Sequence, residues 1–204
     1  MNRFQEALRR VAGDLDDLGV DWALVGGLGQ SAYGIVRRLP DIDIAIDAPD
    51  DAAIGALADT LRARGYAVHR AAHDVLGEIV VVHPFLADGR PSGILIDLLP
   101  RAGGFEAELV AAARRRDVLG LSVLVARIGH LIAFKVKAIG DVNRARDRTD
   151  LRALMAQADE DELNLAREAL RLSAERGIWR ADDPFEIVER LRIGLSLRPA
   201  GAAS

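Results

Sequence analysis

Hydrophobic spacing divides the chain into a first part that carries strands and a second part that is helical. Phe4, Leu8, Val11 and Leu15 recur every three to four residues, the spacing of one helix face, which predicts a helix over 1–18 that ends before Gly19. Residues 22–25 are a short apolar run that reads as a buried strand; it leads into Gly26 and Gly27 and a short helix over 28–33. The segment 41–47, DIDIAID, alternates carboxylate or alanine with isoleucine. That period of two predicts a strand with Ile42, Ile44 and Ile46 on one apolar face. Residues 50–64 are rich in alanine with acids in the first turn, as a helix N-terminus favours. Strands are expected at 66–69, 78–83 and 93–99, broken by Gly77, Pro84 and the turn at Asp88 and Gly89, and again near 122–126. Helices are expected at 128–140, 148–157, 160–174 and 184–194, and the final RPAGAAS reads as a tail. The expected fold is α+β: a mixed sheet flanked by helices over 1–126, then a helical C-terminal part over 127–204.

Composition adds little to this picture and excludes a few classes. The 204 residues contain no cysteine, about half are apolar and 28% are charged, so the chain can bury a core without disulfides. The formal charge of −4 gives no general reason to expect a nucleic-acid or membrane-surface protein. Its distribution is uneven: residues 1–100 carry 15 acidic and 9 basic side chains, residues 101–204 carry 16 and 18. The longest uncharged run, 22–36, holds four glycines and is too short and polar to span a bilayer. The N-terminus has no apolar stretch of the secretory type, and a cytoplasmic location is the default expectation. Among 27 basic residues only Lys135 and Lys137 are lysines.

Candidate chemistry begins in the alternating strand. Asp41 and Asp43 lie two residues apart, so both carboxylates project from one face, with α-carbons about 6–7 Å apart. Paired oxygen donors beside an open cleft suit Mg²⁺ or Mn²⁺ when a nucleotide supplies further ligands. The competing reading is a half-exposed strand with acids on its wet side. Asp97 interrupts the apolar run GILIDLL, where an aspartate is costly to bury unless paired or bound to a cation. An arginine would satisfy it as well as a metal. Gly26 and Gly27 follow a strand and open a helix, where bare N–H groups can receive phosphate.

In combination these features resemble the DNA polymerase beta-like nucleotidyltransferase superfamily, through WALVGGLGQSAYGIVRRLPDIDIAID and the later ILIDLL. The segment HLIAFKVKAIGDVNRARDRTDLRAL is similar to the AbiEii/AbiGii-type toxin branch. The likeness spans about residues 20–155. It implies a nucleotidyltransferase-like fold in which Asp41, Asp43 and Asp97 are metal ligands, Asp97 doubles as base, and Gly26 and Gly27 cradle the phosphates of an NTP. Arg37 matches the arginine of the superfamily's Arg-x-Thr-x-Asp-x-Asp pattern, but Leu39 stands where the threonine is expected.

The lysines differ in their expected surroundings. On a helical wheel Lys135 shares a face with Leu131, Ala138, Ile139 and Val142, so it needs an anion there. Lys137 groups with His130, Asp141 and Arg144 and is expected in solvent. The resemblance gives Lys135 a nucleotide or catalytic role and makes Asp147 a candidate partner for it. The four histidines show no metal spacing, and ordinary core or surface roles are expected for them. The implied activity is transfer of an NMP from an NTP to an acceptor hydroxyl. The branch implies a toxin of a toxin–antitoxin or abortive-infection system, acting on tRNA or other RNA, with an antitoxin protein as partner. A small-molecule acceptor and a non-catalytic module of the same fold are the alternatives.

Overall fold

A computed structural model describes residues 3–35, 41–73, 77–84, 93–100, 103–139, 145–178 and 188–189. Their elements are, in chain order, α1 (Arg3–Asp17), β1 (Trp22–Leu24), α2 (Gly26–Ser31), β2 (Asp41–Ile46), α3 (Asp51–Ala63), β3 (Tyr66–His73), β4 (Gly77–Pro84), β5 (Leu95–Leu99), α4 (Glu106–Ala112), β6 (Arg114–Val118), β7 (Leu121–Val125), α5 (Ile128–Ile139), α6 (Ala145–Met155) and α7 (Glu160–Glu175). The chain divides into two compact units, one of residues 1–102 and 106–126, the other of 103–105 and 127–204. The architecture is α+β, as expected. The expected helix over 184–194 and the C-terminal tail lie outside the described residues, apart from the helical Val188 and Glu189.

The first unit holds a seven-stranded sheet in the order β3-β4-β5-β2-β1-β7-β6. It is mixed: β2 runs parallel to β5 and β1 parallel to β7, while the other neighbours are antiparallel. One face is an apolar layer. Ile42, Ile44 and Ile46 of β2, Ile96 and Leu98 of β5, and Val80 and Val82 of β4 are all fully buried there, in one core with Leu8, Val11 and Leu15 of α1 and Ile54 and Leu61 of α3. Each such side chain contributes about 1.5–3 kcal/mol by leaving water. Helix α3 is capped by Asp50, whose carboxylate accepts from the Ala53 N–H at 2.8 Å.

Two elements were not expected from sequence, α4 and β6. The strand β6 reads RRRDV, with no apolar alternation to mark it. It exists because it pairs with β7 across a two-residue turn, Leu119 and Gly120, in which both φ angles are positive, 55° and 75°. That geometry matches the twist of a hairpin, and Asp117 Oδ1 accepts from Gly120 N–H at 3.1 Å. Hairpin and α2 are tied together: Tyr33 donates its hydroxyl to the Ala126 carbonyl at 2.8 Å, and the Arg116 guanidinium lies 4.2 Å from its ring centroid.

Asp14 of α1 links helix to sheet. It accepts from Arg64 Nη1 at 2.6 Å and from the Tyr66 hydroxyl in a short hydrogen bond. Burial, first, and this donation to Asp14 hold the Tyr66 phenol well above its ordinary pKa. Because the folded value is raised, the stability gained from keeping the proton is complete below about pH 10 and is lost as pH rises above it. Urea titrations should therefore show stability falling above about pH 10, and Tyr66→Phe should flatten that fall.

In the second unit α5 packs against α6 and α7. The Glu162 carboxylate of α7 caps α5 from outside, accepting from Gly129 N–H at 2.7 Å and from Arg127 Nε at 2.9 Å. Gly129 is required by this approach. A Cβ there would lie 2.4 Å from the Glu162 carbonyl oxygen and 2.8 Å from Leu165 Cβ. Gly129→Ala is expected to cost about 1–3 kcal/mol through forced separation of the two helices, read as a lower urea midpoint with unchanged m-value.

Candidate active site

The sheet register gathers the three acids predicted from sequence. Asp43 of β2 stands directly opposite Asp97 of β5, and Asp41 opposite Leu95. One carboxylate oxygen from each of Asp41, Asp43 and Asp97 lies within 4.8 Å of the others, and all three side chains are half-buried. The isoleucines that alternate with them fill the opposite face, so the aspartates hold their position through the packing of their neighbours. Hard carboxylate oxygens in a half-open cluster are the donor set that Mg²⁺ or Mn²⁺ takes when it keeps water and phosphate ligands. Among the described residues this is the single such acidic or histidine group of three.

Gly26 fixes the edge of the cluster. Its φ is +56°, and a Cβ there would fall 1.7 Å from Asp43 Oδ2. Position 26 must therefore be glycine on two counts, a left-handed backbone and the carboxylate against its α-carbon. The neighbouring Val25 N–H donates to the Asp43 carbonyl at 2.9 Å, so the β1 exit and the metal-type cluster are joined by backbone. Helix α2 begins at Gly26 itself, two residues earlier than the expected short helix.

The cluster occupies the open part of its sheet face. Farther along the same face Ala45 and Leu99 are buried, where α4 packs on β1 and β2. In the other direction the row Asp43, Asp97, Val81, His69 runs straight across β2, β5, β4 and β3. Val81 is half-buried and His69 exposed.

No protein-family model matches the chain, and no curated protein matches it in sequence. Solved structures match its fold. An antigenic nucleotidyltransferase-like protein from Paracoccidioides brasiliensis is 18% identical with a TM-score of 0.54, covering 86% of this chain and 89% of that one. The antibiotic-resistance factor ANT(2'')-Ia, in a solution structure, is 18% identical with a TM-score of 0.51, covering 95% of this chain and 91% of that one. The fold is nucleotidyltransferase-like.

Within this nucleotidyltransferase-like fold the remaining candidates have different fates. Lys135 pairs with Asp150, Nζ to Oδ2 at 3.0 Å, both side chains nearly buried. Asp150 of α6 thus supplies an anion on the apolar face of α5 where one was expected. The side chain of Asp147 lies outside the described residues, as does Arg37. Lys137 corrects the expectation of a solvated side chain. It is 2% exposed and donates to the Gly103 carbonyl and to Ser173 Oγ, both at 3.0 Å. The reason is tertiary: residues 103–105 and α7 cover the side of α5 that the helical wheel reads as polar. His130 is buried there too, stacked on Phe105 at 5.8 Å between centroids. His69 and His83, 14 positions apart, meet edge to face with centroids 6.0 Å apart; pairing of β3 with β4 creates this contact, and no local spacing signals it.

Mg²⁺ or Mn²⁺ at one hundred times its Kd is expected to stabilise the wild-type protein by about 2.7 kcal/mol in thermal unfolding. Asp43→Ala should abolish the shift, and so should Gly26→Ala, because its Cβ displaces the Asp43 carboxylate.

Proposed function

We propose that the chain is a metal-dependent nucleotidyltransferase that moves an NMP from an NTP to an acceptor hydroxyl. The observation that carries this reading is the convergence of Asp41, Asp43 and Asp97 within 4.8 Å on an open sheet face, with Gly26 closed against Asp43. Asp41, Asp43 and Asp97 would hold the divalent metal, which when bound neutralises phosphate charge and lowers the pKa of a coordinated hydroxyl. The Gly26 and Gly27 backbone receives the phosphates of the NTP. Asp97, at the acceptor side, takes the proton as the acceptor oxygen bonds to the α-phosphorus. The bond from that phosphorus to the α,β-bridging oxygen breaks, and pyrophosphate leaves with the electron pair.

The acceptor in this reading is the end of an RNA such as tRNA, and the biological role is that of a toxin held by an antitoxin partner. The AbiEii/AbiGii-type segment that contains Lys135 and Asp147 supports this, and Arg37, Lys135 and Asp147 enter on that resemblance alone. The likeness in fold to ANT(2'')-Ia, an antibiotic-resistance factor, favours a second reading with a small-molecule acceptor. No helix of the described residues is long and apolar enough to cross a membrane, and a cytoplasmic site of action belongs to the proposal.

Incubation with α-labelled NTPs, Mg²⁺ and total tRNA is expected to label RNA and release pyrophosphate. Asp43→Ala and Asp97→Ala should each reduce labelling by about a hundredfold or more. Label on an aminoglycoside but not on RNA would select the second reading; no NTP binding in calorimetry would sink both.

A further inference from the structure

The sheet face beside the acidic cluster carries a second group of side chains that transfer chemistry does not use. From Asp97 the face continues through Val81 to His69. One residue along, Ile96 pairs with Val82, so Leu95 and His83 are the next positions of their strands, and His83 pairs with Ala67. Leu95 is 41% exposed, one of three large apolar side chains so exposed among the described residues. His83 is half-buried and His69 exposed, and their rings meet at 6.0 Å. An apolar floor of Leu95 and Val81 thus leads from the cluster to a pair of imidazoles.

We propose that this strip is the acceptor subsite, and that it binds the single-stranded end of an RNA through His69 and His83. The proposal rests on the nucleotidyltransferase reading, since it takes the acidic cluster as the place where the acceptor hydroxyl reacts. Strands lie about 4.8 Å apart, so His69 stands about 10 Å from Asp97 across the sheet. That distance is roughly three base rises of a stacked strand, at about 3.4 Å each, and exceeds the reach of a single sugar. An imidazole ring offers a stacking surface to an unpaired base and N–H donors to phosphate or base edges. Leu95 and Val81 give the intervening bases an apolar surface.

Charge on the described part of the strip favours an anionic acceptor over a polycationic one. The side chains described on this face of β3 and β4 are those of Ala67, His69, Val81 and His83, none of them acidic. The described side chains of the strip therefore offer no carboxylate to a polycationic acceptor and none that repels a phosphodiester strand.

The test separates the nucleotide from the acceptor. Calorimetry measures affinity for a non-hydrolysable NTP with Mg²⁺, and fluorescence anisotropy measures affinity for a 12-nucleotide single-stranded RNA labelled at its 5′ end, with the NTP analogue present. His69→Ala and His83→Ala are each expected to weaken RNA binding about tenfold, with the NTP affinity unchanged. His83→Asn, which keeps a donor but loses much of the ring, should recover part of the loss. Far-UV circular dichroism with thermal melts confirms folding of these surface variants. Unchanged RNA binding in both alanine variants would overturn the subsite. RNA that wild type fails to bind, while NTP binds, would overturn the RNA acceptor. Failure of wild type to bind NTP would remove the nucleotidyltransferase reading itself, a different result from either.

Discussion

Parallel pairing of β2 with β5 puts Asp43 beside Asp97, and the rest of the first unit is arranged around the charge this concentrates. Two like charges at the 4.8 Å limit of the cluster repel by roughly 3–4 kcal/mol at an effective dielectric constant of about 20. The same two strands offset that repulsion on their reverse face, where Ile42, Ile44, Ile46, Ile96 and Leu98 are fully buried. Because side chains alternate, a slip of one residue would expose the isoleucines and bury the aspartates. Register, core packing and the acidic cluster are therefore one specification, and Gly26 completes it by allowing backbone where any side chain would strike Asp43.

In the second unit the ionic groups serve packing. Lys135 meets Asp150, Lys137 bridges residue 103 and α7, and Glu162 satisfies the start of α5. Each is a charged group removed from most of its water and given specific partners, which is the condition for tolerating it there. Such pairs select one arrangement of helices, since an alternative packing would leave a buried charge without a partner.

The proposed chemistry and the proposed acceptor strip share one sheet face, and the division of labour along it follows from side-chain type. Carboxylates at the centre suit metal and triphosphate; apolar groups and imidazoles at the β3 side suit an uncharged or anionic acceptor. The reverse face is closed by α1 and α3, so the asymmetry between a dry and a wet side of the sheet places all this chemistry on one side.

The α+β class, most of the elements and the triad were legible because each rests on a local period. DIDIAID states its own two-residue alternation, and an aspartate within ILIDLL is conspicuous in an apolar strand. Element ends moved by a few residues: β3 extends to His73, and α2 starts at Gly26. What the chain alone left open depended on partners distant in sequence. The strand β6 has no period of its own and is held by β7; Lys137 looks polar on a helical wheel until residues 103–105 and α7 cover it; His69 and His83 become neighbours by pairing of β3 with β4. Sequence by itself determined which positions alternate, which segments apart from α4 are helical and which acids stand among isoleucines, since these follow from bonds between near neighbours. Tertiary structure alone decided that Asp43 faces Asp97, that Asp150 answers Lys135 and that Gly26 has no room for a Cβ, because each is a contact across a sheet or between helices, set by packing.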